Sequence, residues 1–240
     1  MNRNKDYRIV AVVQARMSSK RLPGKVMMNF LGKPMLGHLC DRLSRCAGID
    51  DFIVATSDLS IDDEIDAYIS SRGINCYRGD LNDVAARIIG AAELMAADAL
   101  VRVSGDSPLL DPEIISTAVV AFRKRNLDLV TNVQQRTFPR GQSVEVVALS
   151  ALRSAWLSGM SPEECEHVTT YFYKHPDLYS ILNLTHEPAC GDIQLSIDTL
   201  EDFKQAILIL VRLGKPYCDH SLGDILKVLE AVSLENQCND

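Results

Sequence analysis

The chain has 240 residues, 47% apolar and 24% charged, which is enough to build a core and argues against wholesale disorder. Its formal net charge of -7 argues against a general nucleic-acid binder, which presents a basic face. Seven cysteines without a Cys-x-x-Cys pair argue against a disulfide framework or zinc site, and no run reaches the roughly 18 apolar residues of a membrane span.

The charge is unevenly spread. Residues 1–50 carry ten Lys or Arg against three Asp or Glu, and the remaining 190 carry fifteen against twenty-nine. A locally positive start on an acidic chain points to a specific anion site. The apolar run near the N-terminus is too short for a signal peptide, so the expectation is a cytoplasmic protein with reduced thiols and no membrane partner.

In chain order, residues 9–13 read as a buried strand, and a Gly/Pro-punctuated loop leads to a helix over 33–46. A strand at 51–55, a helix over 62–72 closed by Gly73, a strand at 75–77 and a helix over 82–97 follow. A strand at 99–103, a helix over 112–125 and a strand at 127–131 complete the first half. Strands joined by helical connections of about ten or more residues pair in parallel, so the pattern predicts a doubly wound α/β sheet with ligands at the carboxyl ends of its strands. Beyond residue 131 the rhythm changes. Segments 143–149, 178–184 and 192–197 look like antiparallel strands, with helices over 161–174 and 200–213. The expected organisation is one domain over 1–240, with residues 133–190 as an inserted lid or dimerisation subdomain. Residues from Leu234 onward read as frayed.

Directly after the first strand, Arg16, Lys20, Arg21 and Lys25 place four cations within ten residues and no acid among them. Ser18, Ser19 and the Pro23-Gly24 turn lie in the same segment, which begins at Gln14 and Ala15. The mixture suits a polyphosphate, with backbone N–H groups and hydroxyls cradling oxygens while Arg and Lys offset the charge. A Walker A loop is absent, which disfavours P-loop chemistry. Asp106 stands just past the strand at 99–103, on the same edge as this loop, and Asp198 ends the segment at 192–197. Each acid has a plainer alternative. Asp106 would cap a turn, and Asp198 would be a helix N-cap with Glu201 completing a box.

Ala15-Arg16, Ser19 and the run 21–25, followed by residues 31–36, resemble the sugar cytidylyltransferases that make CMP-activated acids such as CMP-Kdo and CMP-sialic acid. Over nearly the whole chain the resemblance is nearest to their spore coat polysaccharide biosynthesis branch. It implies a doubly wound, mostly parallel fold of the nucleotide-diphospho-sugar transferase (GT-A-like) kind with a small antiparallel lid, acting as a homodimer. The implied reaction transfers CMP from CTP to a hydroxyl of a sugar or acidic-sugar acceptor.

By the same resemblance Arg16 and Lys25 contact the triphosphate and stabilise charge at the α-phosphorus, and Gln14, Ala15, Ser18, Ser19, Arg21, Arg78 and Ser104 complete the nucleotide site. Asp106 and Asp198 hold Mg²⁺. The acceptor is assigned to Arg140, Glu145, Glu166 and His167, from runs at 138–145 and 164–171 that match the family's patterns. Leu81, Asn82, Cys165, Thr170 and Leu200 depart from those patterns. Two other readings stay open: a GT-A glycosyltransferase, although Gly105-Asp106-Ser107 is not Asp-x-Asp, and a non-catalytic nucleotide-binding homologue.

Overall fold

The computed structural model describes residues 7–125 and 127–237. Nine strands and nine α-helices lie among the described residues, and seven of the strands form one sheet in the order β5-β4-β1-β6-β8-β7-β9. β1 (Ile9–Gln14) is central and buried over nearly its whole length, since helices cover both faces of the sheet and the strand needs no polar alternation. It pairs in parallel with β4 (Asp51–Ser57) on one side and β6 (Ala99–Ser104) on the other, and β5 (Asn75–Gly79) extends the β4 edge in parallel.

The chain therefore winds outward from β1 through β4 to β5, then returns to the opposite side of β1 as β6. Right-handed crossovers put α1 (Met35–Leu43) and α2 (Asp63–Ser71) on one face and α3 (Val84–Leu94) on the other. Tyr68 of α2 packs over Gly37 of α1, while α3 lies against β4, β5 and β1. The reversal makes the crevice between the carboxyl ends of β1 and β6 the topological switch point, where open α/β sheets bind ligands.

The second half builds the other edge. After α4 (Pro112–Arg125) and β7 (Leu129–Thr131), β8 (Glu145–Ala148) enters antiparallel between β6 and β7. β9 (Ile181–Asn183) pairs with β7 in parallel, which corrects the antiparallel expectation for 178–184. Segment 192–197 forms no strand, and its sheet-like contact is a single bridge between Arg140 and Gln194. β8 and β9, both within 133–190, are hydrogen-bonded into the main sheet. The separate two-stranded antiparallel sheet is formed earlier, by β2 (Asn29–Phe30) and β3 (Lys33–Pro34).

The helix expected over 161–174 is two helices, α6 (Pro162–His167) and α7 (Thr170–Lys174), broken at Val168, whose φ of 43° a β-branched residue rarely adopts. α5 (Leu149–Leu157) takes up the end of the strand expected at 143–149. α8 (Leu200–Leu213) matches its expected bounds, and α9 (Leu222–Gln237) packs against it and extends past Leu234, where fraying was expected, the rest of that tail (238–240) lying outside the described residues. No helix among the described residues is long and apolar enough to cross a membrane.

Candidate active site

The switch point is bounded by the loop after β1 and the loop after β6. Gln14 is in register with Ser104, and the Gly105 amide donates to the Gln14 carbonyl at 2.8 Å. A Cβ on Gly105 would stand 2.9 Å from that carbonyl oxygen, so only glycine lets the two loops approach this closely. Asp106 is delivered against the cationic loop as a consequence.

That loop is closed on itself. The Met17 carbonyl accepts the amides of Ser19 at 2.9 Å and Gly24 at 2.8 Å, with Gly24 in the left-handed region at φ 72°. The Met17 amide donates to Asp62 Oδ1 at 2.7 Å. Asp62 is fully buried, and its other oxygen accepts the Ser57 amide at 3.1 Å and the Ser57 hydroxyl, fastening the loop to the end of β4. Several amides expected to cradle phosphate are thus engaged within the protein. Asp62 was legible only as a helix start, because its partners are backbone groups that leave no mark in the sequence.

From a short 3-10 turn at Lys25–Met27, the Lys25 side chain reaches back under the loop. Its ammonium donates to Asp106 Oδ2 at 2.9 Å, to Asp198 Oδ1 at 3.2 Å and to the Ile197 carbonyl at 2.6 Å. Lys25 is only 7% exposed, so these acceptors compensate a nearly buried charge. The cap of α8 is Thr199, boxed with Asp202, which removes the N-cap reading of Asp198. Asp198 is left facing the cations, with Arg21 on its second oxygen at 2.8 Å. Arg16 donates to Glu166 of α6 at 2.7 Å, joining the loop to a residue assigned to the acceptor. Asp106, Asp198, Lys25 and Arg21 thus form one cluster, with the Arg16–Glu166 pair tied to the same loop.

Beside it, a polar chain crosses the sheet. Arg102 bonds Gln14 Oε1 at 3.0 Å and Glu145 at 2.7 Å, and Tyr173 of α7 donates to the second oxygen of Glu145 at 2.6 Å. Glu145 is 2% exposed and both its oxygens are engaged, so the structure gives it an internal partner set rather than a face open to an acceptor. Burial, followed by the Glu145 charge, pushes the Tyr173 hydroxyl well above its ordinary range. Arg78 is likewise occupied. It donates to the carbonyls of Ser57 at 3.1 Å and Leu59 at 2.8 Å and pairs with Asp63 at 2.6 Å, fastening β5 to the end of β4.

Arg140 sits exposed on a turn that exchanges backbone bonds with 193–195, at 2.9 Å to Ile193 and 2.8 Å from Leu195. Gly141 makes this possible. Its φ is 91°, and a Cβ there would lie 2.4 Å from the Ser196 nitrogen. Arg136, which sequence reasoning passed over, contacts the Ser143 hydroxyl at 3.2 and 3.3 Å. Burial and then the charge of Arg140 lower the pKa of Arg136, which places the two guanidiniums within electrostatic reach of each other. Among the described residues neither makes an ion pair. His167 is exposed at the end of α6, and its ring has no partner among the described residues.

The donor set fits a divalent cation in one respect. Asp106 and Asp198 converge on a single positive group, as a hard-cation site requires. Among the described residues no group of three or more His, Cys, Asp or Glu could hold a metal alone. The remaining ligands would be phosphate oxygens and water, the usual arrangement for Mg²⁺.

The sequence pattern of the family described as cytidylyltransferase matches residues 10–221. An uncharacterized protein of Methanocaldococcus jannaschii is 36% identical over 201 residues, covering 82% of this chain and 81% of that one. The spore coat polysaccharide biosynthesis protein SpsF of Bacillus subtilis is 29% identical over 214 residues, covering 86% and 88%. The solved structure of a cytidylyltransferase from Leptospira borgpetersenii superposes with a TM-score of 0.90 at 29% identity, covering 95% of each chain.

Proposed function

Because the chain belongs to the cytidylyltransferase family, we propose that this CTP-dependent nucleotidyltransferase transfers CMP from CTP to a hydroxyl of an acidic sugar, releasing pyrophosphate in a pathway of polysaccharide biosynthesis. The observation that carries the reading is the convergence of Asp106 and Asp198 on one cation beside the Arg16–Lys25 loop, at the switch point of the sheet.

Arg16, Arg21 and Lys25 offset the phosphate charge, and Arg16 and Lys25 stabilise what develops at the α-phosphorus. The acceptor hydroxyl gives up its proton to solvent as its oxygen bonds to that phosphorus, and the bond from the α-phosphorus to the bridging β-phosphate oxygen breaks in line, so that pyrophosphate leaves. Such a reaction depends on positioning and charge rather than on a covalent nucleophile. A divalent cation, Mg²⁺ by preference, held by Asp106 and Asp198 would supply Lewis-acid stabilisation of the phosphoryl oxygens. Gln14, Ala15, Ser18, Ser19 and Ser104 border the nucleotide, with Arg78 supporting its base side. Arg140, Arg136, Glu166 and His167 bound the acceptor, and Glu145 holds Arg102 and Tyr173 in place behind them.

Arg136 and Arg140, which make no ion pair among the described residues, support an acceptor that carries a carboxylate. A homodimer through residues 133–190 belongs to the same proposal and is checked by light scattering. The deciding experiment measures pyrophosphate release from CTP, UTP and ATP against a panel of acidic and neutral sugars. CTP with an acidic sugar is expected to give the product. Turnover with UTP alone would overturn the nucleotide assignment, and release of a nucleoside diphosphate would indicate glycosyl transfer.

A further inference from the structure

The protons of the polar row beside the cation cluster follow from donor capacity. Glu145 is a carboxylate and only accepts, so Tyr173 gives it its one proton at 2.6 Å. Burial, followed by the Glu145 charge, raises the pKa of the Tyr173 hydroxyl and keeps that proton in place. Thr131, 2.8 Å from the Tyr173 oxygen, must therefore donate to it, while it accepts the Val133 amide at 3.0 Å. At the other end Arg102 has donors only. Its Nη1 gives to Glu145 at 2.7 Å and its Nε to Gln14 at 3.0 Å. The Gln14 atom it meets must be the amide oxygen, which turns Nε2 and both its hydrogens to the opposite side. Among the described residues Nε2 has no hydrogen-bond partner.

We propose that Gln14 determines specificity on the acceptor side, reading an oxygen lone pair of the acceptor sugar through its Nε2 hydrogens, and that Arg102, Glu145, Tyr173 and Thr131 are positioning residues that hold it in that orientation. Arg102 and Ser104 lie two residues apart on β6, so their side chains share a face of the sheet, and Gln14, in register with Ser104, lies on that face as well. Arg102 is in turn in register with Glu145 of β8. Gln14 borders the proposed nucleotide site, but its side chain leans away from β4 and β5, where Arg78 is bound, toward β8 and α7. α7 follows α6, which carries Glu166 and His167. Gln14 itself is only half-buried, at the carboxyl end of β1 on the switch point.

A glutamine free to turn its amide over serves a donor or an acceptor. Held by Arg102, Gln14 offers hydrogens alone. Glu145 and Thr131 are buried, so the row that fixes it is anchored inside the sheet. The acceptor must then present a lone pair at this point, from a hydroxyl, carbonyl or carboxylate oxygen. A protonated amino group in the same place has no lone pair and would be refused.

This inference rests on the proposed transfer of CMP to an acidic sugar, and the test separates the two. Pyrophosphate release from CTP is measured with N-acetylneuraminate, 3-deoxy-manno-octulosonate and the other acidic sugars of the panel, for wild type, Gln14→Glu, Gln14→Met, Tyr173→Phe and Gln14→Met combined with Tyr173→Phe. Gln14→Glu keeps an oxygen for Arg102 and puts a second oxygen where Nε2 was, so a purely structural role would survive it. Acceptor kcat/KM should fall by about a hundredfold in Gln14→Glu and about tenfold in Gln14→Met, with the CTP KM within about twofold of wild type. Tyr173→Phe should raise the acceptor KM by about threefold to tenfold, and should cost nothing further in the Gln14→Met background. In the protein alone, the Gln14 side-chain amide resonance, identified by its loss in Gln14→Glu, should move in Tyr173→Phe.

Acceptor kcat/KM unchanged in folded Gln14→Glu would overturn the inference, as would an effect confined to the CTP KM, which would hand Gln14 to the nucleotide. An undiminished loss when Tyr173→Phe is added to Gln14→Met would reduce the row to framework. A Gln14 resonance that stays in place in Tyr173→Phe would overturn the positioning whatever the turnover. Absence of release by wild type with every acidic sugar would remove the functional reading and the substrate of Gln14 with it, whereas wild-type release untouched by Gln14→Glu would remove the inference alone.

Discussion

The two ends of the site handle charge in opposite ways. On the proposed nucleotide side Arg16, Arg21 and Lys25 each have a carboxylate partner drawn from a different segment of the chain. On the proposed acceptor side Arg136 and Arg140 make no ion pair among the described residues, and Glu145, whose charge also acts on Arg136, is already bound by Arg102 and Tyr173. The first arrangement sets three cations against three carboxylates. The second leaves two guanidiniums without an ion pair among the described residues, positive charge that the proposed acceptor would compensate. On the proposed function the triphosphate would meet cations already paired with carboxylates, whereas the acceptor would meet guanidiniums without such a partner.

The largest effect expected from breaking this contrast is at Asp106. Asp106→Asn keeps the shape and removes the charge, and steady-state pyrophosphate release should fall by about 10³-fold or more. Turnover within tenfold of wild type would take Asp106 out of the metal site. The same change strands part of the Lys25 charge, so a stability loss of about 3 kcal/mol in denaturant unfolding should accompany it.

On the acceptor side, Arg140→Gln and Arg136→Gln should each raise the acceptor KM by about tenfold to a hundredfold, the worth of one charged hydrogen bond, with the CTP KM unchanged. Equal effects on both KM values would dissolve the distinction between the two ends. Asp62→Asn sharpens it from the other direction. The loop loses the ionised acceptor of the Met17 amide and the Ser57 hydroxyl, and the CTP KM should rise by about tenfold while acceptor KM holds.

The smallest effect concerns the framework beneath the nucleotide loop. His38 is 3% exposed and bonds the Phe30 carbonyl, and burial pushes its pKa down to about 4. The unfolded chain takes up that proton below pH 6.5 while the folded one does not. Stability should therefore fall by about 2 kcal/mol between pH 6.5 and 4, with no further contribution from this group at higher pH. Comparing His38→Gln with wild type at pH 7 and pH 4.5 isolates this share, since other titrating groups are common to both proteins.

The parallel half was readable because each crossover carries its own signals. The helix at Pro112–Arg125 begins with a proline and ends in Arg123, Lys124 and Arg125, and its bounds match the reading. The second half resisted for a physical reason. The direction of β9 depends on the path taken by α5, α6 and α7, and three strand residues cannot encode it. Val168 breaks a segment whose periodicity is continuous, and no glycine or proline announces the break. In the site, Asp106 and Asp198 were legible because each follows a strand-like run. Whether Asp198 capped a helix or faced a cation was decided by Thr199, one residue away and with a competing side chain. Arg136 carried no signal, since its significance is its nearness to Arg140.

The self-closed loop has a consequence for how the nucleotide is held. With the amides of Met17, Ser19 and Gly24 spent inside the protein, attraction for the triphosphate falls more heavily on side-chain cations. Side chains at the rim, such as Arg21 at 67% exposure, are screened by dissolved ions far more than buried amide dipoles would be. Nucleotide affinity in this protein should therefore weaken with rising ionic strength more steeply than in enzymes that wrap phosphate in backbone. The cell's salt content would thus set how much of the protein is charged with nucleotide at a given CTP level.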